Sequence, residues 1–474
     1  MHNCSHTIQV RGNVLVWVLP VLTAVVAMLL IVQWLGYTPP MSFSLRLPDP
    51  NDAGPVGGQA ATAEIKGTLL KFNGVPADIA GDWPRFRGVN MDAIISDAPD
   101  LAREWPADGP RVLWTIDVGE GYAGAAVRDG RVYIMDYDRQ EQSDVIRCVS
   151  LADGADIWQY RYPVSIKRNH GMSRTIPTVT DRHVVAFGPK CHVTCLDSAT
   201  GELKWMIDLV REHGAEVPAW YAGQCPLVED NKAILAVGGH SLLMAVDCDS
   251  GEVLWRTDNP RKWVMTHSSV VPMDFNGQRQ YLYCASGGVV GVSATDGQIL
   301  WEYPDWKIRI ANVPTPLIVG DGRVFLSGGY NAGCMMLQLK SDAGQIVPQA
   351  LWRLDAAVFG SEQQTPVLYQ GHIYGVRPDK QLACLDLDGN LIWTSGNAHK
   401  FGLGPYMIAN GVLYVMDDDG RLTMTPAAPT GFAPLDDAVV LQGHESWGPM
   451  ALVGTRLIVR DLTKMACLDI GRQP

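Results

Sequence analysis

Two kinds of apolar pattern divide this chain. The first is one long run. Val14 to Gly36 reads VLVWVLPVLTAVVAMLLIVQWLG, 23 residues without a charge. As a helix it would rise about 35 Å, enough to cross a hydrocarbon core of about 30 Å with some tilt. Pro20 lies inside the run, which membrane helices tolerate. Secretory leaders carry only ~7–15 apolar residues before a small-x-small cleavage site. This run is longer, and Gln-Trp-Leu-Gly-Tyr-Thr-Pro-Pro follows it. The expectation is an uncleaved single-pass transmembrane anchor over 14–36, with 1–13 as a short cytoplasmic arm. Arg11 is the nearest charge before the run and Arg46 the first basic residue after it. The short arm favours an N-inside orientation. That would place the anchor in the inner (cytoplasmic) membrane and the bulk of the chain on the periplasmic side. Residues 37–81 are rich in Pro, Gly, Ala and Asp and read as a linker, with a short strand near Ile65–Phe72.

The second pattern fills the remainder, 82–470. Short alternating runs end in the same phrase: VSLADGADIW, LDSATGELKW, VDCDSGEVLW, VSATDGQILW and LDLDGNLIW, with a longer variant ending QALW. Each phrase predicts a strand end, a turn of Asp, Ser or Thr with Gly, and a second strand closing on Trp. The markers are Trp114, Trp158, Trp205, Trp255, Trp301, Trp352 and Trp393, spaced 44, 47, 50, 46, 51 and 41 residues apart. Another hairpin lies upstream of each, as in RDGRVYIM, GDGRVFLSG and ANGVLYVM. Four strands in each repeat predict a propeller blade.

Blade number follows from counting. Inner strands start near Gly124, Thr175, Gln224, Ser268, Val313, Gln364, Gly404 and Gly448. Seven outer strands end on Trp, and a degenerate one lies near Val439–Leu441. The first of the seven, Arg111–Val118, precedes any inner strand, while the last blade stops at Asp469 after its third strand. The N-terminal strand should therefore complete the C-terminal blade. The expected fold is all-β, an eight-bladed propeller whose closure removes exposed sheet edges.

Composition narrows the function classes. Charged residues are 19% and the net charge is −12. The chain is too apolar for disorder and too acidic for a general nucleic-acid binder. Cys148, Cys195, Cys384 and Cys467 share one repeat position, in different blades and too far apart to bridge. They read as small buried hydrophobes. Cys191 and Cys195 would lie ~13 Å apart in one extended strand. No c-type haem, zinc-spaced, P-loop, HExxH, GxSxG or EF-hand motif is present. Asp417-Asp418-Asp419-Gly420 reads as a hairpin turn.

The phrase Leu196-Asp197-Ser198-Ala199-Thr200-Gly201-Glu202-Leu203-Lys204-Trp205 closely resembles the docking motif AxDxxTGxxxW of quinoprotein-like propellers. That family includes PQQ-dependent alcohol dehydrogenases and a lipoprotein that helps outer-membrane protein assembly. The resemblance implies that the Trp packs between blades while the Asp and turn groups bond the neighbouring blade. Trp83-Pro84-Arg85-Phe86-Arg87-Gly88, Glu104-Trp105-Pro106 and Thr175-Ile176-Pro177-Thr178-Val179 are similar to exported bacterial PQQ-binding-like propellers, common in planctomycetes.

Three roles are in view. The leading one, by analogy with what a rigid disc with variable loops suits, is a binding or scaffold module at the cell envelope, for a protein partner or small ligand. Another is a PQQ-dependent alcohol or sugar dehydrogenase, with PQQ and Ca²⁺ as cofactors. The third is a scaffold like an outer-membrane protein assembly factor. The dehydrogenases' vicinal cysteine pair and calcium-ligand motifs are missing here, and so is a lipoprotein cysteine after the apolar run. No catalytic residue or metal ligand stands out. Candidate ligand contacts gather at the channel mouth, on loops joining each outer strand to the next inner strand. They are His170, Arg174, Trp220, Tyr221, His267, Arg309, Asn312, Gln363 and Trp447. The charges counted over these loops sum to zero.

Overall fold

The computed structural model describes residues 14–36 and 65–472. The chain divides into two units, Met1–Leu47 and Pro48–Pro474. The first contains one helix, Val14–Gly36. Side chains are described over 22–33, a stretch that rises only about 18 Å. Among the described residues no helix is long and apolar enough to cross a membrane. The expected arm 1–13 and residues 37–64 of the expected linker lie outside the described residues.

The second unit contains eight sheets, each built of four antiparallel strands. Their inner strands start at Ala125, Thr178, Leu227, Val271, Leu317, Val367, Tyr406 and Ala451. We number these blades one to eight. In blade eight the fourth strand is Arg111–Asp117, paired with Lys464–Asp469. The ring is thus closed by the N-terminal strand, as the repeat count required. The degenerate outer strand of blade seven is Asp436–Val439.

The marker tryptophans occupy the outer strands at seams between blades. Trp205 donates its indole N–H to Cys248 O at 2.9 Å, on the next blade's turn. Trp114 and Trp352 do the same to Leu151 O and Leu387 O. Trp393 reaches Ala428 O in blade seven, and Trp301 instead bonds Gln280 in its own blade. At the Trp158 seam, Tyr133 Oη takes the equivalent carbonyl of Ser198. Five of the seven indoles, those of Trp114, Trp158, Trp205, Trp255 and Trp352, also cover the glycine of the next blade's turn. A Cβ on Gly201 would lie 2.6 Å from the Trp158 ring, and one on Gly251 2.7 Å from Trp205. Both glycines have positive φ, so turn geometry and ring contact each demand Gly. The motif's aspartate acts differently from the expectation. Asp197 caps its own turn, accepting from the Ala199 and Thr200 amides. It does not bond the neighbouring blade, because its carboxylate is already engaged by the turn it terminates.

A further regularity concerns the cysteines. Cys148, Cys195, Cys384 and Cys467 each stand directly opposite a marker Trp. Ala245, Gly291 and Met336 take that place in the other three blades. All seven pairings carry a register shift beside the Trp. A bulge re-aims a side chain and tightens local twist, here turning the indole toward the next blade. The nine described cysteines are free and buried. Asp417 caps the acidic turn by accepting from the Asp419 and Arg421 amides, as expected of a hairpin.

Residues 65–81 are not a free linker. Thr68–Lys71 adds a fifth strand to blade one, pairing with the strand that bears Trp158. This covers an edge that would otherwise be open. The lead-in Trp83–Ile95 has a more consequential course. Trp83 bridges Val127 of blade one, and Pro84 O accepts from Val179 N of blade two. Arg85 donates to Val228 O of blade three. Arg87 donates to Thr365 O and Pro366 O beside blade six. Ile94–Ile95 then runs parallel to the inner strand of blade seven. The lead-in therefore spans the bore of the propeller, satisfying inner-strand backbone groups that have no partner within their blades.

Candidate functional site

The mouth loops and the lead-in together enclose a cavity of about 330 Å³. Every outer-to-inner connection contributes to it: Tyr122, His170, Trp220, His267, Ala311, Gln363, Leu403 and Trp447, in order round the ring. Phe86 of the lead-in also lines it. Four of these loops hold left-handed non-glycine residues: His170, Trp220 with Tyr221, Lys262 and Glu445. Bulky residues in that region are strained, and such strain persists only where surroundings enforce it.

Aromatic rings dominate the wall. Tyr122 and Trp447 have centroids 5.1 Å apart, inclined by 33°. The Tyr122 hydroxyl donates to Glu445 Oε2 at 2.7 Å. The Trp447 indole N–H donates to Asp418 Oδ1 at 2.8 Å. Gln364 Nε2 donates to Leu403 O and Trp447 O, tying two mouth loops together.

Arg174 is the one charged side chain among the lining residues. Its guanidinium lies 5.1 Å over the Tyr122 ring. It donates to Trp220 O, Asn169 O and Gly171 O, with His170 O at 3.5 Å. Burial lowers its pKa to about 10, so it stays charged at neutral pH. Arg87 and Arg460 are also deeply buried and held by carbonyl groups. A planar fork of donors suits this use. Arg174 is thus a clamp between the loops that enter blades two and three.

His267 is 8% exposed, and neither ring nitrogen meets a partner at hydrogen-bonding geometry. Backbone groups of Ala219 and Tyr221 nevertheless favour its charged form slightly. Burial, with Arg174 nearby, pushes its pKa down to about 4. The imidazole is neutral at physiological pH.

Six of the nine expected contacts line the cavity: His170, Arg174, Trp220, His267, Gln363 and Trp447. Three do not. Tyr221 is buried behind its loop and donates to Lys167 O at 2.7 Å. Asn312 is buried, and its backbone carbonyl accepts from His267 N. Arg309 is solvent-exposed. Loop membership alone could not tell which side chains turn inward. Trp263 and Trp306, also on mouth loops, pack into the blade cores instead. Sequence reasoning missed Tyr122 and Phe86. The WPRFRG phrase was the signal for Phe86, read only as a family likeness.

The PQQ–calcium pair implied by the resemblance makes definite demands. A polyanionic quinone needs uncommitted cationic donors, and calcium needs converging oxygen ligands. Arg174 is directed mainly to backbone carbonyls. Glu445 and Asp418 are bonded to the wall itself. Among the described residues no group of three His, Cys, Asp or Glu could hold a metal ion. The residues present do not fit that pair.

The sequence pattern of the family described as "Outer membrane protein assembly factor BamB" matches residues 141–388, just over half of the chain. The chain belongs to this PQQ-like propeller family. A Yersinia pestis protein of that name is 22% identical over 341 residues, 67% of this chain and 75% of the relative. The crystal structure of BamB from Moraxella catarrhalis superposes with a TM-score of 0.54 at 13% identity, covering 76% of this chain and 99% of that one. A europium-containing methanol dehydrogenase gives 0.57 at 11% identity, covering 80% and 89%. Both structural likenesses establish the fold.

Proposed function

We propose that this BamB-family chain is a scaffold of the assembly-factor type at the cell envelope. In this reading it is tethered to the inner membrane by Val14–Gly36, with the propeller on the periplasmic side, and engages an envelope protein through its mouth face. The carrying observation is the state of the mouth's charged groups. Arg174, Glu445 and Asp418 are all engaged with the wall, leaving an aromatic recognition surface without a converging acid, base or metal set. Binding surfaces of this kind are rich in Tyr, Trp and Arg.

The test is co-purification of the full-length protein from mildly solubilised envelope, with in-cell crosslinking from the mouth loops. One envelope protein at a fixed stoichiometry is expected. Recovery without any stoichiometric partner would refute the scaffold reading. PQQ and Ca²⁺ should produce neither a quinone spectrum nor dye-linked alcohol oxidation; either result would restore the dehydrogenase alternative.

A further inference from the structure

The aromatic cavity has a polar neighbour. A second hollow of about 150 Å³ adjoins it, and Gln363, Gln364, Leu403 and Trp447 line both. The two differ in character. The rings of Tyr122, Trp220 and Trp447 line the first. Ser361, Glu362, Arg377, Lys380 and Asp418 edge the second. An apolar wall with a few convergent polar groups is the usual form of a small-ligand site, and the larger hollow, at about 330 Å³, suits a single ring.

The polar groups of this double hollow are available to a ligand. Gln363 lines both parts and Glu362 the polar one, and each is half-buried. Among the described residues neither end group bonds a neighbour, and neither is sealed from solvent. Tyr330, on the aromatic side, is 47% exposed. The His267 nitrogens, by contrast, are closed off within the wall.

Charge narrows the ligand. An anion would meet Glu362, while Arg174 is fanned onto carbonyls and Lys380 is held by Asp418 at 3.1 Å. A cation would meet Arg174 and Lys380 in the same walls. A purely apolar ring would cover Glu362 and Gln363 without replacing their water, which is costly. A sugar ring meets each demand. Its C–H face suits the negative face of an indole. Its hydroxyls both donate and accept, as a carboxylate and an amide together require.

We infer that the mouth binds a neutral saccharide, a pyranose ring lying against Trp447 with its hydroxyls on Gln363 and Glu362. This rests on the scaffold reading only in that the mouth recognises rather than reacts, and it names a ligand class for that mouth.

The test uses full-length protein in a detergent without a sugar headgroup, with titration calorimetry and tryptophan fluorescence as readouts. The probes are the methyl glycosides of glucose, galactose, mannose and N-acetylglucosamine. At least one should bind at one site per chain, with a Kd of about 1 mM or below, and shift the indole emission. Gln363→Ala should weaken that probe about tenfold. Its melting midpoint should be unchanged, because the side chain bonds nothing in the fold. Trp447→Phe keeps a smaller ring and should weaken binding while removing most of the fluorescence change.

No saturable binding of any glycoside at about 10 mM, well above the expected Kd, would overturn the inference. Tighter binding of choline, phenol, inorganic phosphate or PQQ than of every glycoside would overturn the ligand class. Glycoside binding unaffected by both substitutions would overturn the site. The scaffold reading fails separately. If no glycoside binds while the envelope partner is captured, the saccharide inference falls and the scaffold stands. If a glycoside binds as expected but no partner is captured, the scaffold reading falls and the sugar site stands.

Discussion

Replacing Gly201 with alanine tests the physical basis of blade docking. Two costs are expected. At φ +75 an L side chain is strained, at about 1–2 kcal/mol. The new Cβ would also lie 2.6 Å from the Trp158 ring, which is 1% exposed and has no room to retreat. Forcing an extra carbon into a packed seam costs a further ~1–3 kcal/mol. The total is about 2–5 kcal/mol. Gly371 supplies the control. Its φ is +77, yet a Cβ there would meet nothing within 4 Å. Gly371→Ala should therefore cost only the backbone term. Urea unfolding of both variants gives the difference, provided the slope m is unchanged. A double-mutant cycle completes the test. In a Trp158→Leu background, Gly201→Ala should cost no more than Gly371→Ala. Equal losses for Gly201→Ala and Gly371→Ala in the wild-type background would refute the Trp-on-Gly account, because only the first pair of atoms collides.

Other outcomes follow from the buried polar groups and from closure. Asp144 is completely buried between blades one and two, beside Tyr162 and His192, and burial raises its pKa to about 7. The folded state then holds a proton that the unfolded chain releases, so this group's contribution falls as pH rises from about 4 through 7. Asp144→Asn should stabilise the protein more at pH 8 than at pH 5, by on the order of 2 kcal/mol; an equal effect at both pH values would show that the carboxyl is not held neutral. His267 has the opposite sign. With its pKa lowered to about 4, its contribution is full above about 6.5 and is lost as pH falls toward 4, so His267→Phe should flatten the acid limb of a stability–pH curve. Arg87→Met should cost about 3 kcal/mol or more by orphaning the carbonyls of Thr365 and Pro366. It should also speed amide exchange at Ile408 and Asn410, which bond the lead-in; unchanged exchange would mean the plug does not depend on that arginine. Deleting residues 82–118 removes both plug and closing strand, and a cooperative melt with an unchanged midpoint would refute the closure.

The repeat, the blade number and the N-terminal closure were legible in the chain itself. They depend on local rules. A turn needs Gly at positive φ, a strand alternates, and each Trp recurs once per blade, so period and count survive without tertiary information. Even the Cys positions were read correctly as packing residues, although their place opposite the marker Trp needed the register. What the tertiary structure alone decided is non-local. Trp83–Ile95 crosses the bore because unpaired inner-strand groups on blades one, two, three, six and seven need partners, and nothing within that segment reveals this. Arg174 becomes a carbonyl clamp rather than an anion receptor because loops far apart in the sequence surround it. Mouth-loop residues divide into inward-facing His267 and Trp447 and outward or packed Arg309 and Tyr221 through loop conformations that include left-handed residues, which sequence spacing does not encode. The sequence thus determined a ring and its approximate mouth; packing across the ring determined that the mouth is a plugged, aromatic cavity with one buried, neutral histidine in its wall.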